Sequence, residues 1–102
     1  MNISEAPVWE LEEFLERLGY KTEKFSTYDD EQYRDLFHGV EAKKNNKVSF
    51  EFTYDPEEEH WTAEGCIKIN SEREEIIKEY WDKNVSFSKL ENFVEEVEAK
   101  AK

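Results

Sequence analysis

The sequence predicts an α+β domain with an N-terminal helix, a three-stranded antiparallel β-meander and two C-terminal helices packed on one sheet face. Three patterns carry the prediction. An apolar stripe at helical spacing lies near the N-terminus, alternating runs fill the middle, and two Ser-x-x-Glu starts precede apolar stripes near the end.

Ser4 precedes Val8, Leu11, Leu15 and Leu18, and Gly19 follows as a stop, so residues 5–18 are expected to be helical. Pro7 fits the first turn, where its missing N–H has no helical partner. Residues 20–33 mix aromatics with carboxylates at neither period and read as a connection with room for a short strand. Leu36 to Lys44 reads as a weaker strand leading into a turn at Asn45-Asn46. In the clearest strand, Val48, Phe50, Phe52 and Tyr54 share one face against Lys47, Ser49, Glu51 and Thr53. The next run sets Trp61, Ala63, Gly65, Ile67 and Ile69 against Thr62, Glu64, Cys66 and Lys68.

Ser71 with Glu74 forms a capping box before Ile76, Ile77, Tyr80 and Trp81, which predicts a helix there. Ser88 with Glu91 repeats the pattern before Leu90, Phe93, Val94, Val97 and Ala101. The predicted order of helix, three strands and helix resembles the layout of the double-stranded-RNA-binding domain, in topology alone. Where that family carries a basic cluster at the start of its last core helix, this chain has Ser71-Glu72-Arg73-Glu74-Glu75, so none of the family's functional residues is carried over.

The chain of 102 residues has the usual size of one domain, 1–102, and is long enough to bury a single core. Charged residues make up 39% of it, a level compatible with disorder, but the 15% aromatic content and the scarcity of Gly and Pro argue for a packed core. One cysteine, Cys66, excludes an internal disulfide and points to a reducing, cytoplasmic setting. No secretory signal pattern or membrane-spanning apolar run is present.

The net charge of −12 is spread along the chain, with no detachable acidic tail. Such a field repels phosphate backbones and anionic lipid, so direct nucleic-acid and membrane-surface binding are disfavoured and a basic protein surface is the expected partner. The sequence has no Gly-rich phosphate loop, no His-Glu-x-x-His, no paired cysteines and no calcium loop, so no catalytic residue, metal ligand or cofactor is predicted. His38 and His60 fall on the outer strands of the expected meander and are separated by its central strand. Cys66 shares the polar face with Glu64 and has no basic neighbour to activate it, so an inert thiol is expected.

Strand parity yields one constellation. Keeping apolar residues on one side sets Tyr54 opposite Trp61 and Phe52 opposite Ala63, and therefore Glu51 opposite Glu64. A three-residue loop at Asn45, Asn46 and Lys47 sets Phe50 against Ala42 and Val40 against Phe52, and therefore Glu41 opposite Glu51. The result is a row of Glu41, Glu51 and Glu64 across the polar face, with neighbouring Cβ atoms about 5 Å apart. Like charges so placed repel, and a fold alone has no need of them. The plain alternative is a solvated face on which Lys43 and Lys68 supply counter-charge.

Two further segments join the candidate binding surface. Asp55, Glu57, Glu58 and Glu59 flank Pro56 in a charged turn, where successive glutamates splay outward and do not converge on a metal ion. Tyr28, Asp29, Asp30 and Tyr33 interleave aromatic contact area with steering charge, a pattern suited to a protein interface.

The expected function is a small acidic protein-binding module. In its sharpest form it is an inhibitor that mimics nucleic acid, of the antirestriction, anti-CRISPR or immunity type. The alternatives are a self-associating assembly protein, which allows a homodimer, and a divalent-cation-binding protein or enzyme that uses the glutamate row with Asp55.

Overall fold

A left-handed glycine sets the first corner of the chain. Gly19, at φ 98°, lets the Tyr20 N–H reach the Leu15 carbonyl while its own N–H bonds the Glu16 carbonyl, which closes helix α1 (Val8–Arg17). The computed structural model describes residues 8–29, 34–45 and 47–101, with side chains placed at 10–25, 39–45 and 47–101. After α1 the chain forms β1 (Lys21–Asp29), β2 (Arg34–Lys43), β3 (Val48–Asp55), β4 (His60–Lys68) and β5 (Glu74–Asp82), and ends in α2 (Phe87–Lys100).

The five strands make one antiparallel sheet in sequential order. This is an α+β fold, and it overturns the expected three-stranded meander with two C-terminal helices. The segment 20–33, read as a connection with room for a short strand, supplies the nine-residue β1. The segment after Ser71, read as a helix, is β5. With five strands, the likeness to the layout of the double-stranded-RNA-binding domain is also lost.

The helix reading of β5 fails for a physical reason. Ile76, Ile77, Tyr80 and Trp81 are spaced to line one side of a helix, but they are β-branched or aromatic and favour a pleated surface. Asn70 Oδ1 accepts from the Glu72 and Arg73 N–H groups at 2.8 and 3.0 Å, and the Ile69 N–H bonds the Arg73 carbonyl. That turn folds the chain back along β4 before Ser71 can cap a helix. In the strand, Trp81 is buried and Ile77 packs on the core, while Ile76 and Tyr80 face outward.

The final helix is capped two residues before the expected Ser88. The Ser86 side chain accepts from the Lys89 N–H, and Phe87 is the first helical residue. Its apolar stripe of Leu90, Phe93, Val94, Val97 and Ala101 is buried as its spacing requires.

Both helices cover the same face of the sheet, α1 over β1 and β2 and α2 over β4. Between them lie Leu11, Leu15, Tyr20, Val40, Ala42, Phe50, Phe52, Trp61 and Ala63. The Phe93 ring meets Phe50, Phe52 and Trp81 edge-on, with centroids 6.0, 6.2 and 5.4 Å apart. Each such side chain contributes about 1.5–3 kcal/mol on burial, so this aromatic knot anchors α2 to the sheet. Among the described residues no helix lies on the opposite face of the sheet, and there the polar residues of the strands lie open.

Candidate functional site: the open face of the sheet

The uncovered face is built from residues that alternate with the core set. Ala42 pairs with Phe50 and Val40 with Phe52 across β2 and β3, while Phe52 pairs with Ala63 and Tyr54 with Trp61 across β3 and β4. Glu41 therefore stands opposite Glu51, and Glu51 opposite Glu64, as the parity argument requires. Asn45 holds the first hairpin in this register, because its Oδ1 accepts from the Lys47 and Val48 N–H groups at 2.7 and 3.2 Å.

The sheet extends the row at both ends. Glu23 of β1 is opposite Glu41, and Lys78 of β5 is opposite Glu64. The full cross-strand line is Glu23, Glu41, Glu51, Glu64 and Lys78. With strands about 4.8 Å apart, its four carboxylates span about 14 Å. Sequence reasoning missed Glu23 and Lys78 because their segments were not read as strands. For Glu23 the available signal was weak: Phe25 lies on the open face opposite Gly39, whereas Lys24 occupies the core-side parity opposite Val40.

Lys43 and Lys68, expected as counter-charges, do not pair with the row. Ion pairs join Arg17 to Glu13, Lys44 to Glu98, Lys83 to Glu59 and Lys89 to Glu79, and none of these reaches Glu23, Glu41, Glu51 or Glu64. Lys78 directs its ammonium toward the Tyr80 ring, 5.7 Å from the centroid. Glu51 accepts from the Thr53 hydroxyl at 3.4 Å. Glu41, Glu51 and Glu64 line a shallow depression of about 180 Å³ together with Lys43, Ser49 and Cys66.

The other candidates lie elsewhere. Asp55 turns its carboxylate onto its own loop, accepting from the Glu57 and Glu58 N–H groups at 2.9 and 3.3 Å. Glu57, Glu58 and Glu59 are exposed on that loop, and Glu59 is held by Lys83 at 3.3 Å, so these side chains do not join the row. Tyr28 and Asp29 end β1, with only their backbone described, and Asp30 and Tyr33 lie outside the described residues. His38 sits on β2 and His60 on β4, with β3 between them.

Cys66, in the lining of the depression, has its thiol 3.6 Å from Glu74. Burial, and then the Glu74 charge, push the thiol up from its ordinary value, against smaller opposing effects of Ser49 and Lys68. This environment suits a quiet thiol and opposes nucleophilic chemistry.

No described helix is long and apolar enough to cross a membrane. Comparison of the chain with family models, with curated proteins and with solved structures finds no match.

Proposed function

We propose that the chain is a non-catalytic binding module whose open sheet face covers a basic surface of a partner protein. The observation that carries this reading is the row Glu23, Glu41, Glu51 and Glu64, which lies on a face that no described helix covers and has no ion-paired cation among the described residues. Directly opposed like charges cost roughly 0.2–1 kcal/mol per pair, and the sheet bears that cost at three successive steps. A cationic partner relieves it on docking, so the repulsion in the free protein becomes part of the affinity.

A line of evenly spaced anions on a sheet also imitates a phosphate backbone. In that form the module inhibits a nucleic-acid-binding protein by occupying its basic groove, and the net charge of −12 speeds encounter from a distance. A cytoplasmic setting belongs to the same reading and rests on the single cysteine.

The test is affinity capture from the native host at low and high ionic strength, with the wild-type chain and the Glu41→Gln/Glu51→Gln/Glu64→Gln variant as parallel baits. A protein held by the wild type at low salt, released at high salt and absent from the variant supports the reading. Capture that ignores both salt and the substitutions refutes it, as does capture of nothing.

A further inference from the structure

We infer that β5 is a second docking element, which accepts an extended partner segment of alternating basic and apolar residues as a sixth strand. The inference does not rest on the glutamate row, which lies across the face of the sheet and not along its edge.

β5 is the last strand of the sheet, and no described element lies beyond it. It runs nine residues in unbroken register with β4, with no proline and no bulge. Along such an edge every second residue turns its N–H and C=O outward, unpaired, and these groups form a template for a further strand.

The side chains along the edge specify the occupant. Ile76 is 56% exposed and Tyr80 67% exposed, and both point to the open face. These two large apolar side chains, four residues apart with Lys78 between them, suit apolar residues opposite them on an added strand. On the helix side of the same edge, Glu75 and Glu79 alternate with Ile77 and Trp81. Glu79 shares its carboxylate with Lys89 at 3.5 Å, and Glu75 is exposed without an ion pair among the described residues. A strand that places Lys or Arg opposite Glu75 and Glu79 on the helix side, and apolar residues beside Ile76 and Tyr80 on the open side, matches these four side chains, with Lys78 between the two apolar ones and Glu74 and Asp82 at the ends.

A second copy of the chain is the poorer occupant. β5 carries Glu74, Glu75, Glu79 and Asp82 against Lys78, so pairing it with itself brings two acidic strands together. The charges that block self-pairing are the ones that recruit a basic strand.

The experiment uses the full chain and two synthetic peptides of about eight residues and identical composition, one alternating Lys and Val and the other with Lys and Val in separate blocks. Amide hydrogen exchange is followed through Glu74–Asp82 as each peptide is titrated. The alternating peptide is expected to slow exchange at alternate β5 amides and to bind about tenfold more tightly than the block peptide. The Glu75→Lys/Glu79→Lys variant is expected to lose that preference, and the Glu41→Gln/Glu51→Gln/Glu64→Gln variant to keep it. Equal binding of the two peptides, no slowing within β5, or slowing that appears with protein concentration in the absence of peptide overturns the inference.

Discussion

Glu51 stands directly opposite Glu64 in the β3–β4 ladder, and its other flank is Glu41. The central strand of the sheet therefore carries a carboxylate between two carboxylates. Glu51→Lys converts two repulsive neighbours into two attractive ones and is expected to raise stability by roughly 0.5–2 kcal/mol. The same change is expected to abolish capture of a basic partner. Urea unfolding read beside the capture assay checks the pair, and an unchanged midpoint would show that the row is not strained. Opposite effects on stability and binding are the signature of a surface kept for function.

Tyr20 and Glu98 tie the start of the sheet to the end of α2. The buried phenol donates to Glu98 Oε1, and Lys44 sits 3.5 Å from the same carboxylate and over the tyrosine ring. Tyr20→Phe removes a hydrogen bond to a charged group and is expected to cost about 1.5–3 kcal/mol in urea unfolding.

Burial, followed by the hydrogen bond to Glu98 and its charge, holds the Tyr20 phenol far above its ordinary value of 10.0. The folded chain thus keeps this proton after the unfolded chain has begun to lose it. The stability from this source is intact below pH 10.0 and declines as the pH rises beyond it. The difference in alkaline stability between wild type and Tyr20→Phe isolates the effect, and parallel curves above that pH would contradict it.

Gly65 of β4 lies against Val97 of α2. A Cβ at this position would sit 2.8 Å from Val97 Cγ2, 3.1 Å from Val97 Cγ1 and 3.3 Å from the Phe50 ring. Gly65→Ala is expected to cost about 1–3 kcal/mol by overpacking. If the clash is the cause, adding Val97→Ala restores part of the loss, and a double-mutant cycle measures the coupling.

Cys66 is expected to react slowly with a thiol reagent at neutral pH, because burial and Glu74 both oppose the thiolate. Glu74→Gln removes the nearby charge and is expected to speed labelling by a factor of a few. An unchanged rate would assign the quiet thiol to burial alone.

The central ladder was legible because Val48, Phe50, Phe52 and Tyr54 alternate cleanly and their apolar partners admit one register, which carries Glu41, Glu51 and Glu64 along with it. α1 was legible from Leu11, Leu15 and Gly19, and the body of α2 from Leu90, Phe93, Val94 and Val97.

The edges of the sheet were not. The spacing of Ile76, Ile77, Tyr80 and Trp81 satisfies a helix that buries all four and equally a strand that buries one of each pair. β1 hides its alternation, because at an edge Lys24 can take a core-side parity and still reach water.

Local pattern alone thus determined which residues of β2, β3 and β4 face together, because side chains alternate strictly along a strand and burial tolerates one parity. Only the tertiary structure decided that two further strands flank them, that Glu23 and Lys78 end the charged line, and that both helices crowd one face and leave the other open. Those outcomes depend on the free edges beside β2 and β4, which offer backbone partners that no local window of sequence contains.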